Sequence, residues 1–388
     1  MKKTFCLIFV MAAMALFSHS VTAAASGPSL PGKEAAEQLY EDQLRQSGAD
    51  DLPDSLSPET KKILDDLGVE GTDWNSITSI SPQNYFQKIL GVFSGQIKNP
   101  LKVLCGVIAV ILLCALLNGI KLSFGDRPMG GVIGMVGALC ICTLVVAPIV
   151  SCIHDAADVL NAASGFLLAC IPVLTGIMIA AGQPVSAGSY HILMLAAGNA
   201  VSVLSSNFFI PMLNIFLALS VVSAVSPGIN LGGLCAALNK MVKWFMGLCM
   251  TLFTSLVTMH SIVASSLDST GSKAAKFVVS SFVPVVGNAL GEALQTVTGC
   301  VKLLKSGVSA FGLLAGIFIF LPVVAECFVW ILALNLCAGI GQIFDLGEIS
   351  SLLKASSDVV STMLAILLCS MMILIISTVV MLIVGGVK

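Results

Sequence analysis

The sequence predicts an all-α, polytopic integral membrane protein with about eight to ten transmembrane helices, an internal duplication of spans and a small exported helical head. Three observations predict it. First, 57% of the 388 residues are hydrophobic, 10% are charged, and the mean hydropathy is +0.99. A soluble domain carries about 25% charged residues, so lipid is the solvent for most of this chain. Second, charge is segregated. Residues 26–99 hold 6 Lys/Arg and 12 Asp/Glu, whereas all the residues after them hold 11 basic and 9 acidic side chains. Third, apolar runs of span length follow one another from Leu101 to the C-terminal region. No basic patch with interleaved aromatics occurs, so nucleic acid is not an expected partner.

The N-terminus has the layout of an export signal over residues 1–25. Lys2 and Lys3 form the basic region, the run from Thr4 to Phe17 is apolar, and Ala23-Ala24-Ala25 offers a cleavage site after Ala25. An uncleaved first span is the alternative. Cleavage would put the mature N-terminus outside the cytoplasm, and the segment that follows, 26–99, is expected as an extracytoplasmic head.

That head predicts three helices. The first carries Ala36, Tyr40 and Leu44 on one face and ends at Gly48. The second has Ser57 as N-cap, Pro58 at the first helical position and Gly68 as its stop. The third repeats the Ser-Pro start at Ser81-Pro82, and Tyr85, Phe86, Ile89, Leu90 and Phe93 give it an apolar side expected to lie on the membrane surface. Three short helices bury too little to make a catalytic domain, so the head is expected to dock.

Candidate spans lie near 101–119, 129–150, 159–181, 190–206, 208–226, 244–266, 277–300, 306–324, 325–343 and 359–384. The first two fill the segment 100–158, with His154 to Asp158 expected as an external loop. With the head outside, Lys121, Arg127, Lys240, Lys243, Lys302, Lys305 and Lys354 fall inside and Lys98, Lys102, Lys273, Lys276 and Lys388 outside, seven against five, a weak bias in the direction of the positive-inside rule.

Three anchors recur at nearly one spacing. Ile171-Pro172-Val173-Leu174 returns as Val283-Pro284-Val285-Val286, and Phe209-Ile210-Pro211 as Phe320-Leu321-Pro322. Asn230 to Leu234 returns as Asp345 to Ile349. These anchors divide the body into repeat 1, 159–266, and repeat 2, 277–388, with four spans each and an amphipathic inner helix before the fourth. An even number of spans makes the repeats parallel. Pro172, Pro211, Pro284 and Pro322 are expected to break their helices.

Ionisable residues at membrane depth are functional candidates by default. Asn288, Glu292 and Gln295 stand at i, i+4 and i+7, one helical face, beside the close-packing pair Gly287 and Gly291. This polar seam either lines a conduit or proton-coupled site, or Glu292 caps a re-entrant turn or pairs with Lys302 or Lys305. Glu326 is the second intramembrane carboxylate, expected at the outer turn between two short spans. Asn118, Asn161, Asn199, Asn214 and Asn335 are expected to bond between helices. His191 and His260 are isolated, and the 13 cysteines include no C-x-x-C, so no metal site, disulfide or cofactor is expected. No P-loop, Ser/His/Asp set or H-E-x-x-H is present, and no enzymatic activity is expected.

The segment Phe282 to Val308, with Ile171 to Leu174 and the stretch Phe344 to Lys354, resembles the stage III sporulation protein AE family, and the likeness extends over nearly the whole chain. The resemblance implies a multi-pass component, in the mother-cell membrane around the forespore, of the secretion-like channel complex joining mother cell and forespore. It further implies partners: an ATPase, small membrane subunits and ring-forming proteins, with late forespore gene expression depending on the assembly. It carries over no catalytic residues. The competing class is an autonomous secondary transporter of a small solute, which parallel repeats with broken helices would suit.

Overall fold

The computed structural model describes residues 33–69, 71–72, 76–77, 82–124, 130–225, 231–282 and 287–383. The export signal, residues 1–25, and Pro284 lie outside the described residues. Among the described residues the regular elements are all helical, as the composition predicts.

The head forms α1 (Lys33–Ser47), a 3-10 turn (Ala49–Ser55) and α2 (Pro58–Asp66). Its boundaries follow the sequence signals. Gly48 ends α1 and Gly68 ends α2, both with left-handed backbone that costs glycine nothing. Ser57 Oγ accepts the Thr60 amide, and Pro58 opens the helix. Tyr40 and Leu44 pack against the core of the body.

The next helix, α3 (Pro82–Gln96), runs almost directly into α4 (Lys98–Phe124). It does not lie alone at a surface. Tyr85 meets Phe318 edge-on with ring centroids 5.7 Å apart, and Phe93 meets Phe328 at 6.4 Å, so α3 runs alongside a long body helix. Tyr85, Ile89 and Phe93 of its apolar side pack on the body, whereas Phe86 and Leu90 stay exposed. The Lys88 ammonium on α3 pairs with Asp66 of α2 and holds that carboxyl below the ordinary carboxylate range. A depressed carboxylate stabilises its charged form, so this tie is present at neutral pH and is lost as pH falls through the lowered value.

The body comprises α5 (Gly130–Ala180), α6 (Pro184–Leu204), a π-helical turn (Ser205–Phe209), α7 (Ile210–Val225), α8 (Gly232–Phe282), α9 (Gly287–Ile343) and α10 (Gly347–Ile383). Among the described residues six stretches are long and apolar enough to cross a membrane: Gln83–Gly119, Ile133–Ala180, Pro184–Ser223, Gly232–Asp268, Gly299–Ile343 and Gly347–Val380. The candidate spans 129–150 and 159–181 are therefore one helix, as are 306–324 and 325–343. The expected loop His154 to Asp158 is helical. It holds no Gly or Pro, its two alanines favour helix, and His154 stands one turn from Asp158.

The prolines break less than expected. Pro172 and Pro322 lie inside continuous helices. Around Pro172, Thr175 Oγ1 donates to the carbonyls of Ile171 and Pro172 at 2.7 and 3.0 Å. Side-chain hydroxyls and neighbouring helices make proline tolerable in apolar bundles. Pro211 is accommodated by the π turn just before it, where the Ile210 amide reaches back to the Ser205 carbonyl. That widening gives the ring room against the preceding turn.

The long helices pack as antiparallel neighbours. Gly106 faces Leu144 across α4 and α5, and Phe166 meets Phe311 across α5 and α9. Phe208 and Phe209 of the α6–α7 rod pack on Phe245 of α8. The α5–α6 turn closes on Gly182, whose φ is 76°, and Pro184 opens α6. The α9–α10 turn places Asp345 at φ 56°, a conformation Asp tolerates better than most residues. In the α9–α10 hairpin, Gly312 and Gly316 let Thr378 and Leu374 approach the α9 backbone. A Cβ at 316 would collide with Leu374 Cδ2. Gly316→Val is expected to cost about 1–3 kcal/mol by overpacking, read as earlier thermal unfolding in detergent. An unchanged midpoint would show that Leu374 moves aside freely.

Candidate functional site

The backbone of the predicted polar seam is helical, since α9 begins at Gly287. The side chains of Asn288, Glu292 and Gln295 lie outside the described residues. Of the lysines considered as partners for Glu292, Lys305 is buried and Lys302 exposed.

Glu326 has a defined setting. It is half-buried on α9, and Trp330 one turn later donates its Nε1–H to Glu326 Oε1 at 3.3 Å. Glu326 is not at a turn between short spans, because α9 runs through it. It stands at mid-height on the bundle, where α5 and the head converge. Asp155 of α5 lies within electrostatic reach of Glu326, and Glu59 of α2 within reach of Asp155. Asp158 and His154 flank Asp155 on its own helix. Carboxylates from three elements thus gather at the junction of head and body. Asp155, Asp158, His154 and Glu59 are exposed, so the junction is wetted rather than sealed. Among the described residues no group of His, Cys, Asp and Glu is arranged to hold a metal ion. What the arrangement supplies is a band of negative charge around a half-buried, hydrogen-bonded carboxylate.

The head sits beside the half of α5 that follows this band. Beyond Glu59 beside Asp155, the Gly48 backbone approaches Val173 near the far end of α5. The charged head therefore flanks one half of the bundle. The other half contains α4, the start of α5, the end of α9 and the start of α10: Gly137 faces Cys114 and Ile349, and Gly134 faces Glu348.

A second polar feature lies in that other half. The stretch expected as an amphipathic inner helix is the first four turns of α10. Ser351, Lys354 and Asp358 are exposed along one side of it, at i, i+3 and i+7. The opposite side is tied to neighbours. Ser350 Oγ donates to the Ala338 carbonyl at 3.0 Å, and Asn335 Nδ2 donates to Ser357 Oγ at 2.7 Å. One turn on from Asp358, Thr362 Oγ1 donates to Asn239 Oδ1 of α8 at 2.9 Å.

Asn335 thus bonds between helices as predicted, whereas Asn199 bonds the Leu195 carbonyl within its own helix. Sequence reasoning missed Asp268. Its carboxylate accepts the amides of Val185 and Ser186 at 3.1 and 2.8 Å, capping α6 from the far part of α8. Nothing local announces a cap more than eighty residues away. Only its position as the lone acid in a long apolar stretch could have drawn notice.

Comparison with known proteins gives a consistent picture. The family described as Stage III sporulation protein AE matches residues 73–385. The chain is 24% identical over 238 residues to the stage III sporulation protein AE of Bacillus subtilis (strain 168), a match covering 61% of this chain and 60% of that relative's length. No solved structure matches.

Proposed function

The chain belongs to the stage III sporulation protein AE family, and on that premise we propose that it is a non-enzymatic membrane subunit of the channel complex linking mother cell and forespore, needed for late forespore gene expression. In this reading it resides in the mother-cell membrane around the forespore, head outward. Its partners are other membrane and ring-forming subunits and their ATPase.

One observation carries the subunit reading over that of a self-sufficient transporter: the apolar body is too tall for one bilayer. The stretch Ile133–Ala180 is a continuous 48-residue helix, apolar on either side of the exposed His154, Asp155 and Asp158, about 72 Å long at 1.5 Å per residue. The hydrocarbon core is about 30 Å thick. Even a tilt of about 40° leaves roughly 55 Å to cover. In the half containing α4, that helix has the length of one bilayer span, Val103 to Ile120, bounded by Lys98 and Lys102 before it and Lys121 and Arg127 after it. The half flanked by the charged head then rises above the lipid. There α6 and α8 still expose Ile192, Met259, Ile262 and Leu267. Apolar surface of that extent outside lipid calls for a protein cover.

The test is deletion of the gene, followed through a late forespore reporter, together with purification of the tagged protein in mild detergent. Loss of the reporter and co-purification of further membrane subunits are expected. A protein that purifies alone and moves a solute in liposomes by itself would refute the subunit reading in favour of a transporter.

A further inference from the structure

Contacts between the long helices set them to a common height. Gly137 of α5 faces both Cys114 of α4 and Ile349 of α10. From there α4 runs opposite to α5, since Gly106 meets Leu144. α10 rises beside α5, because Phe166 meets Phe311 and Gly312 meets Thr378 across α9. Thr362 comes 13 residues after Ile349, and Leu101 comes 13 before Cys114, so both stand about 20 Å above Gly137. Thr362 Oγ1 donates to Asn239 Oδ1, which brings that part of α8 to the same height. α8 then rises in step with α10, for Val257 and Val380, each 18 residues further on, line one small cavity.

Lysines gather at that height. Lys98 and Lys102 of α4 and Lys240 and Lys243 of α8 are all exposed, and their backbone positions fall within about 8 Å along the bundle. Trp244, 67% exposed, follows Lys240 by one turn on the same face. The two pairs stand on different flanks, since α4 packs on α5 and α9, and α8 on α6, α7 and α10. Hydropathy set Lys240 and Lys243 across the membrane from Lys98 and Lys102, but the fused helices bring all four level. The acids near this height, Asp155, Asp158 and Glu326, lie on α5 and α9 beside the head. α4 carries no acid, the one acid of α8 is Asp268 toward its other end, and the exposed Asp358 stands one turn below Thr362.

We propose that Lys98, Lys102, Lys240, Lys243 and Trp244 form a basic girdle that binds the phosphates of anionic lipid headgroups at one face of the bilayer. The proposal rests on the reading that the half containing α4 lies in lipid. It does not depend on which side of the membrane the head occupies. Below the girdle α4 exposes Leu112, Leu113 and Leu116 to the acyl chains. An indole settles at headgroup depth, with its apolar body toward the chains and its N–H toward water. A lysine at that depth lays its stem along apolar surface and delivers its ammonium to phosphate. Each lysine near an anionic surface is worth about fivefold in affinity. An acidic protein partner would need a matching surface on each of two flanks, whereas a layer of headgroups meets both flanks at one height.

The test uses the full chain in phosphatidylcholine bilayers whose acyl chains carry bromine near the carbonyl end or near the methyl end. Emission of Trp244 is the difference between the Trp74→Phe protein and the same protein with Trp244→Phe, so the buried Trp330 cancels. Stronger quenching by bromine near the carbonyl end is expected. Leu113→Trp, added to the protein lacking both other exposed-tryptophan candidates, reads the middle of α4 and should be quenched best by bromine near the methyl end. In a second arm the protein is extracted in mild detergent from bilayers of phosphatidylglycerol and phosphatidylcholine in equal amounts, and the retained lipid is identified by mass. Phosphatidylglycerol is expected to be enriched at least about fivefold. Lys240→Gln with Lys243→Gln, and likewise Lys98→Gln with Lys102→Gln, should reduce the enrichment several-fold, while arginine at the same positions should keep it. Shallow quenching without enrichment overturns the recognition of anionic headgroups. Quenched Leu113→Trp with unquenched Trp244 overturns the girdle alone and assigns the α8 patch to a protein partner. If neither is quenched, the placement of the α4 half in lipid fails as well.

Discussion

Arginine placed at Leu116 and at Ile262 is expected to fail at two different steps. Both side chains are exposed, at 69% and 64%, and both are apolar residues on apolar helices. A lipid-facing surface predicts the same fate for both. The division of the bundle predicts otherwise. Leu116 belongs to α4, a helix long enough for one bilayer span. Arg at the centre of a span costs about 2.5–3.5 kcal/mol of insertion, and less toward an end where it snorkels, so Leu116→Arg, in the last turns of the span, should lower the amount of protein in the membrane fraction. Ile262 belongs to the part of α8 packed on the head-side end of the bundle, where Val257 and Ala264 line a small cavity with Tyr190 and Met178. Ile262→Arg should insert normally and then fail to bind its neighbours. Truncating or charging the centre of a protein interface costs about 2 kcal/mol or more, enough to reduce co-purifying subunits and heat-resistant spores by at least about tenfold. Immunoblots of membranes, with spore counts on the same strains, separate the two. Equal loss of protein from both variants would place Ile262 in lipid and remove the main support for an assembly partner on that face.

The sequence made the class legible because composition alone decides whether water can wet a chain. It made the head legible because caps are local: Ser57, Pro58, Gly48 and Gly68 each act within one turn. It did not reveal how many apolar runs are fused. Hydropathy registers the dip at His154, Asp155 and Asp158, but a dip is a loop only if something ends the helix, and nothing between Val150 and Ile171 does. The prolines misled in the opposite sense, since their cost in water overstates their cost among packed apolar helices. At the candidate site, Glu326 was visible as an isolated carboxylate, and Trp330 was within reach on the same face. Asp155 and Glu59 could be joined to it only by the fold, because their proximity depends on how α5 and α2 pack. The exposed polar side of α10 was likewise visible as amphipathicity, but its continuity with a span was not.

Replacement of Trp330 tests how the junction is built. The indole is 2% exposed and is among the largest fully buried side chains, and its N–H serves the half-buried Glu326. Trp330→Ala removes both contributions and is expected to cost about 3–5 kcal/mol, a large share of the stability of any domain. Trp330→Phe keeps most of the ring and loses the donor, and should cost about 1–3 kcal/mol, the range for stranding a buried hydrogen-bonding group. Glu326→Gln retains an acceptor oxygen of the same reach and should change stability by less than about 1 kcal/mol. Thermal unfolding in one detergent ranks the three. If Phe is as damaging as Ala, the hydrogen bond to Glu326 dominates and packing is secondary. If Phe is neutral while Ala is severe, Glu326 is satisfied by water at the wetted junction, and its carboxylate is free to act on whatever passes there. The double variant Trp330→Phe with Glu326→Gln completes the cycle, because residues in contact deviate from additivity by the energy they share. A coupling near zero would identify the tryptophan as a wedge between α9 and its neighbours rather than as the partner of the acid.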